Sequence, residues 1–94
     1  MDLNIIGLNH KTAPLELRER FVFHTDQISH ALLDLKNNKV SQVAILSTCN
    51  RTEIYFNGPK KDIVYKWLAD YHHIKLSQLK KHLYHYKPVF LQHI

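Results

Sequence analysis

Two apolar runs, Val43 to Thr48 and Thr52 to Phe56, are separated only by Cys49-Asn50-Arg51. Both have strand length and a β-branched or aromatic content, and Asn57-Gly58-Pro59 closes the second. A connection this short has no room for a crossover, so the two strands are expected as antiparallel neighbours. Helical periodicity flanks the pair on both sides. Upstream, Ile28, Ala31, Leu32 and Leu35 fall at i, i+3, i+4, i+7 behind a start at Thr25-Asp26, and Asn37-Asn38 ends that helix. Downstream, Ile63, Val64, Trp67, Leu68 and Tyr71 make an amphipathic helix over roughly 60–72, with Trp67 in the core.

The ends of the chain complete the pattern. Leu3 to Leu8 reads as a buried strand stopped by Asn9-His10, and Thr12 is expected to cap a short helix that carries Pro14 near its start and runs from Leu15 to Arg20. Ser77 is expected to cap a brief helical turn before a last strand, Leu83-Tyr84-His85-Tyr86, and Pro88 fits the first turn of a further helix. The order strand, helix, two strands, helix, strand predicts an α+β fold. It is the ferredoxin-like split βαβ sandwich, a four-stranded antiparallel sheet with helices on one face. That topology hosts many activities, so function has to come from residues.

Ninety-four residues are enough for one small domain, 1–94, and leave no space for a second. Apolar runs such as Val43 to Leu46 are far too short to span a bilayer and no basic-plus-apolar leader opens the chain, so a cytoplasmic protein without membrane contact is expected. One cysteine permits neither an internal disulfide nor a Cys-x-x-Cys metal pair, and the thiol is expected to be free. A net charge of +5 with eight histidines favours an anionic partner. Lys60, Lys61, Lys75, Lys80, Lys81, His82, His85 and Lys87 supply the charge, although a solvated helix face gives the same pattern.

Cys49 stands where the apolar run gives way to Thr48, Asn50 and Arg51. A thiol is partly ionised at neutral pH even with a pKa near ~8.5, and an adjacent guanidinium raises that fraction. A lone cysteine is also commonly a small buried hydrophobe, so spacing alone does not decide its role. His82 and His85 at i, i+3 could share a metal only if helical, and the adjacent His72 and His73 point to different sides of any regular element. No metal is expected.

Two segments carry a more specific signal. They are Gly7-Leu8-Asn9-His10-Lys11-Thr12-Ala13-Pro14 through Leu17-Arg18-Glu19-Arg20, and Leu46-Ser47-Thr48-Cys49-Asn50-Arg51-Thr52-Glu53-Ile54-Tyr55. Together they resemble the amino-terminal catalytic domain of the glutamyl-tRNA reductase family, and the resemblance continues through Trp67 to His72 and Leu83-Tyr84 to Leu91-Gln92-His93-Ile94. Lys87-Pro88 departs from it, standing where polar and acidic residues commonly precede a helix, which bears on the placement of His93.

The resemblance implies an NADPH-dependent reduction of glutamyl-tRNA to glutamate 1-semialdehyde through a thioester on Cys49, at the entrance to the five-carbon route to tetrapyrroles. Thioesters accept hydride more readily than esters, and the covalent step releases tRNA before reduction. Arg51 has the planar fork that suits the glutamate carboxylate, with a surface ion pair to Glu53 or Glu16 as its plainer role. Thr48 and Asn50 would orient the α-amino group or polarise the carbonyl, and His93 would assist proton transfer. The Asn9-His10-Lys11 turn either borders the substrate or simply sets the strand-to-helix corner.

The family's enzyme is several times longer, with nicotinamide-binding and dimerisation domains after this one. NADPH, the homodimer and contact with a glutamate 1-semialdehyde aminotransferase are therefore expected of the whole enzyme. Two glycines cannot build a Gly-x-Gly-x-x-Gly turn here. The isolated domain is expected not to reduce anything and to act at most as a weak glutamyl-tRNA esterase. Two rivals are a small ferredoxin-like RNA-binding module and a regulatory module with an inert, buried cysteine. The first lacks its usual aromatic signature, since Val43 to Thr48 has no aromatic residue and Tyr55 and Phe56 face opposite ways.

Overall fold

The computed structural model describes residues 2–88. In chain order they form β1 (Leu3–Asn9), α1 (Leu15–Arg20), α2 (Thr25–Asn37), β2 (Val43–Ser47), β3 (Arg51–Asn57), α3 (Lys61–Tyr71), α4 (Leu76–Lys80) and β4 (Tyr84–Tyr86). The strands make one sheet in the order β2-β3-β1-β4, with every neighbouring pair antiparallel. This is the split βαβ arrangement that the hydrophobic pattern predicts.

Strand alternation sends Ile6, Leu8, Ile54 and Phe56 to one face, where they are buried with Leu17, Ala31, Leu35, Val64, Trp67, Leu68 and Leu79 from the helices. Each fully buried large apolar side chain contributes about 1.5–3 kcal/mol, so this single layer is the main source of stability. Trp67 is in the core as its spacing predicts, and its indole N–H donates to Asp34 Oδ2 at 2.7 Å. Two polar side chains share the buried face. Asn4 Nδ2 donates to the carbonyls of Asp2 and Gly58 and its Oδ1 accepts from His85 Nε2 at 2.8 Å, and Thr52 donates to the carbonyl of Phe21 at 3.0 Å. Their hydrogen bonds offset the cost of burial and tie the sheet ends to the connecting loops.

Two helix caps, at α1 and α4, differ from expectation. Pro14 is the N-cap of α1, because Thr12 is occupied in a turn: its hydroxyl accepts from Asn9 N–H, while Asn9 Oδ1 accepts from Lys11 and Thr12 N–H. α2 does start at Thr25 as expected, with His24 as its cap and Gln27 Oε1 accepting from His24 N–H. Lys75 caps α4, leaving Ser77 inside it. At α1 the local turn outcompeted the hydroxyl cap. The helix that Pro88 is expected to open falls outside the described residues.

At their carboxyl ends α2 and α3 close the same way. Lys39 and His73 adopt left-handed φ values of 69° and 57°. Val40 N–H then reaches back to Leu35 O, and Ile74 N–H to Ala69 O, both at 2.9 Å. The residues after each kink, Val40 and Ile74, are buried, and that burial holds the strained positions in place.

His72, at the end of α3, lies among the rings of Phe21, Phe23 and Tyr71, with centroid distances of 4.4, 4.9 and 5.2 Å. Its Nε2 is buried without a hydrogen-bond partner. Burial, followed by the positive charge of Arg20, lowers its pKa from 6.5 to about 4. Below pH 6.5 the unfolded chain takes a proton that the folded chain refuses, so stability falls from there and the loss levels off near pH 4. Urea titrations from pH 7 to pH 4 are expected to show a steeper loss for the wild type than for His72→Phe, and parallel curves would refute this.

The other face of the sheet carries a row formed by Leu46, Glu53, Gly7 and Tyr84, paired across four strands. A Cβ on Gly7 would lie 2.6 Å from Thr52 O, 2.8 Å from Glu53 Cγ and 3.0 Å from Tyr84 Oη. Glu53 therefore crosses β1 over a missing side chain to reach Tyr84. Gly7→Ala is expected to destabilise the fold by about 1–3 kcal/mol, read as a lowered urea midpoint, since one contact is with backbone that cannot move aside.

Candidate active site at the β2–β3 turn

The turn between β2 and β3 is built by Thr48. Its N–H donates to Arg51 O at 2.8 Å, and its Oγ1 accepts from the N–H groups of Asn50 and Arg51, each at 3.2 Å. Two-residue hairpins ordinarily need left-handed residues at the turn, yet neither Cys49 nor Asn50 has a positive φ. The threonine hydroxyl takes the place of the backbone acceptor, as in other side-chain-closed turns. Beneath the turn, Ser47 Oγ accepts from Phe23 N–H at 2.9 Å and lies 3.3 Å from Thr52 Oγ1, which anchors the hairpin to the α1–α2 connection.

This construction leaves Cys49 exposed at the tip as a free thiol, unlike the buried cysteine that the regulatory-module reading requires. Asn50 and Arg51 follow it and line an open cleft of about 290 Å³ together with Asn9, His10 and Lys11. The cleft exists because Asn9 pairs with Arg51 at the end of the β1–β3 ladder, so the β1–α1 turn and the β2–β3 turn emerge side by side. His10 and Lys11 thus stand opposite Arg51. A larger groove of about 490 Å³ lies between α2 and α3, but its charged residues include the exposed Lys66–Asp70 pair at 3.0 Å, and it is lined by no residue of either turn.

Arg51 is 54% exposed, with Nη1 3.8 Å from Glu53 Oε1. Of the two carboxylates that its plainer role would use, the structure pairs it with Glu53. Glu53 also accepts hydrogen bonds from Tyr55 and Tyr84 hydroxyls, each at 2.6 Å. Both phenols have raised pKa values: Tyr55 chiefly through its bond to Glu53, Tyr84 chiefly through burial and then through Glu53. They stay protonated and donating at any physiological pH. Strand alternation along Arg51, Glu53 and Tyr55 could have revealed that these three share a face, whereas the role of Tyr84 depends on the distant β1–β4 pairing.

Thr48, Cys49, Asn50 and Arg51 are therefore brought together, while His93 lies outside the described residues. His82 and His85 turn to different partners, the carbonyl of Thr12 and the side chain of Asn4. Among the described residues no group of three or more His, Cys, Asp or Glu side chains could hold a metal ion, and no helix is long and apolar enough to cross a membrane. The open sheet face does carry Tyr55, Tyr84 and Tyr86, but the first two are tied to Glu53 and only Tyr86, at 58% exposure, is well exposed. Phe56 is buried on the helix side.

A sequence model of the glutamyl-tRNA(Glu) reductase N-terminal domain matches residues 6–92. Glutamyl-tRNA reductase of Nitrosomonas europaea is 47% identical over 85 residues, covering 89% of this chain and 20% of the relative. That of Aromatoleum aromaticum is 46% identical over 87 residues, covering 92% and 21%. The chain thus spans about a fifth of the length of these curated relatives. The solved structure of glutamyl-tRNA reductase from Methanopyrus kandleri has the same fold, with a TM-score of 0.65 over 93% of this chain and 19% of that one at 23% identity. The match over nearly its whole length shows that the chain belongs to the glutamyl-tRNA reductase N-terminal domain family.

Proposed function

We propose that residues 1–94 form the amino-terminal catalytic domain of a glutamyl-tRNA reductase, and that its own chemistry is transfer of the glutamyl group from tRNA to Cys49. The observation that carries this reading is the exposed Cys49 thiol on a turn whose next residues, Asn50 and Arg51, wall a cleft. Sγ attacks the ester carbonyl carbon, a C–S bond forms, and the C–O bond to the ribose breaks. The thiol proton ends on the ribose hydroxyl, and tRNA leaves with a free end. Arg51 receives the side-chain carboxylate, because its half-exposed guanidinium keeps N–H groups free beside the cleft.

Thr48 serves the reaction by shaping the turn, since its hydroxyl is already engaged there. The Asn50 carboxamide, on the cleft wall, is the group assigned to the α-amino nitrogen or the carbonyl oxygen. His93 is assigned, from the family resemblance, to the proton that passes to the ribose oxygen. His10 and Lys11 place positive or protonatable groups where the phosphates of an acceptor end would arrive.

The described residues do not fit NADPH. Gly7 lies mid-strand beneath Glu53, and Gly58 lies in the turn before α3, so neither opens a glycine-rich strand-to-helix turn. The reduction to glutamate 1-semialdehyde, the first step of the five-carbon route to tetrapyrroles, is assigned to the whole enzyme. The same holds for the homodimer, for an aminotransferase partner and for a cytoplasmic location.

Mixing the chain with glutamyl-tRNA, quenching in acid and mapping peptides by mass spectrometry is expected to show a glutamyl adduct on Cys49 that is absent from Cys49→Ser. Slow loss of the adduct to water would make the domain a weak esterase. Release of glutamate at equal rates from wild type and Cys49→Ser, with no adduct, would contradict the proposal.

A further inference from the structure

Glu53 brings a carboxylate into a nearly dry place: its side chain is 8% exposed. Leaving such a group charged requires that its oxygens be satisfied, and they are, Oε1 by Tyr55 and Oε2 by Tyr84. The reach to Tyr84 passes over Gly7, where any side chain would collide with Glu53 Cγ. Three elements, β1, β3 and β4, thus hold one carboxylate in a fixed position on the open face.

Arg51 is the cation that this carboxylate faces, and the 3.8 Å separation is informative. It is short enough for attraction but longer than a hydrogen bond, so Glu53 does not occupy the guanidinium fork. An exposed arginine without such an anchor samples many rotamers and loses that freedom when it binds a ligand. With Glu53 clamped behind it, the guanidinium is drawn toward the sheet while its N–H groups stay open to the cleft lined by Asn9, His10, Lys11 and Asn50.

We infer that Glu53, fixed by Tyr55, Tyr84 and the vacancy at Gly7, is a positioning residue that holds Arg51 in the orientation that selects a substrate carboxylate. The inference rests on the proposed function, because Arg51 receives the glutamyl side chain there. Specificity then depends on a group that never touches the substrate.

The test is a double-mutant cycle read as the ratio of single-turnover Cys49 acylation rates with glutamyl-tRNA and with mischarged glutaminyl-tRNA. Glu53→Gln is nearly isosteric and is expected to lower that ratio roughly tenfold, the scale of one charge-assisted contact. In an Arg51→Ala background the same substitution is expected to change the ratio no further. An unchanged ratio in Glu53→Gln, or an equal loss in both backgrounds, would overturn the inference. Tyr84→Phe keeps the charge and removes one tether, so it is expected to lower the ratio in the same direction by a smaller factor; should Glu53→Gln fail to fold, an unchanged ratio in Tyr84→Phe overturns it. A wild-type chain that forms no adduct would instead sink the proposed function, so the two failures are distinguishable.

Discussion

The antiparallel pairing of β1 with β3 governs both the core and the candidate site. Its register runs without a break from Leu3 opposite Asn57 to Asn9 opposite Arg51. A slip of one residue would turn either Ile6 and Leu8 or Ile54 and Phe56 away from the helices, so burial fixes the register strongly. The same register places Gly7 against Glu53 and brings the Asn9-His10-Lys11 turn beside Arg51. Packing energy on one face therefore sets the geometry of the charged groups on the other.

The site divides its labour between the two kinds of polar group. Thr48, Ser47 and Thr52 spend their hydroxyls on backbone and neighbouring side chains, which stiffens the hairpin neck and its turn. Cys49 and Arg51 remain exposed. A nucleophile and a carboxylate receptor held on a rigid strand end meet the positional demand of acyl transfer better than the same residues on a long loop.

The elements with long, regular periodicity were legible in the sequence: α2, α3 and the β2–β3 pair all lie where the apolar spacing puts them. Helix starts were less so. Thr25 opens α2 as expected, but Thr12 and Ser77, good caps in isolation, do not cap: the Asn9–Thr12 turn engages the first, and Lys75 holds the cap position ahead of the second. Cys49 and Arg51 stood out because chemistry and sequence adjacency coincide. The Glu53 clamp did not, because it joins residues from three strands and depends on a side chain that Gly7 lacks.

The central claim is that Cys49 and Arg51 form one site for a carboxylate-bearing electrophile. The most direct measurement compares second-order alkylation rates of Cys49 by iodoacetate and by iodoacetamide, reagents that differ mainly in charge. An iodoacetate-to-iodoacetamide ratio above that of a free thiol such as glutathione is expected, falling to the free-thiol value in Arg51→Ala. A wild-type ratio equal to that of the free thiol, or one unaffected by Arg51→Ala, would contradict it.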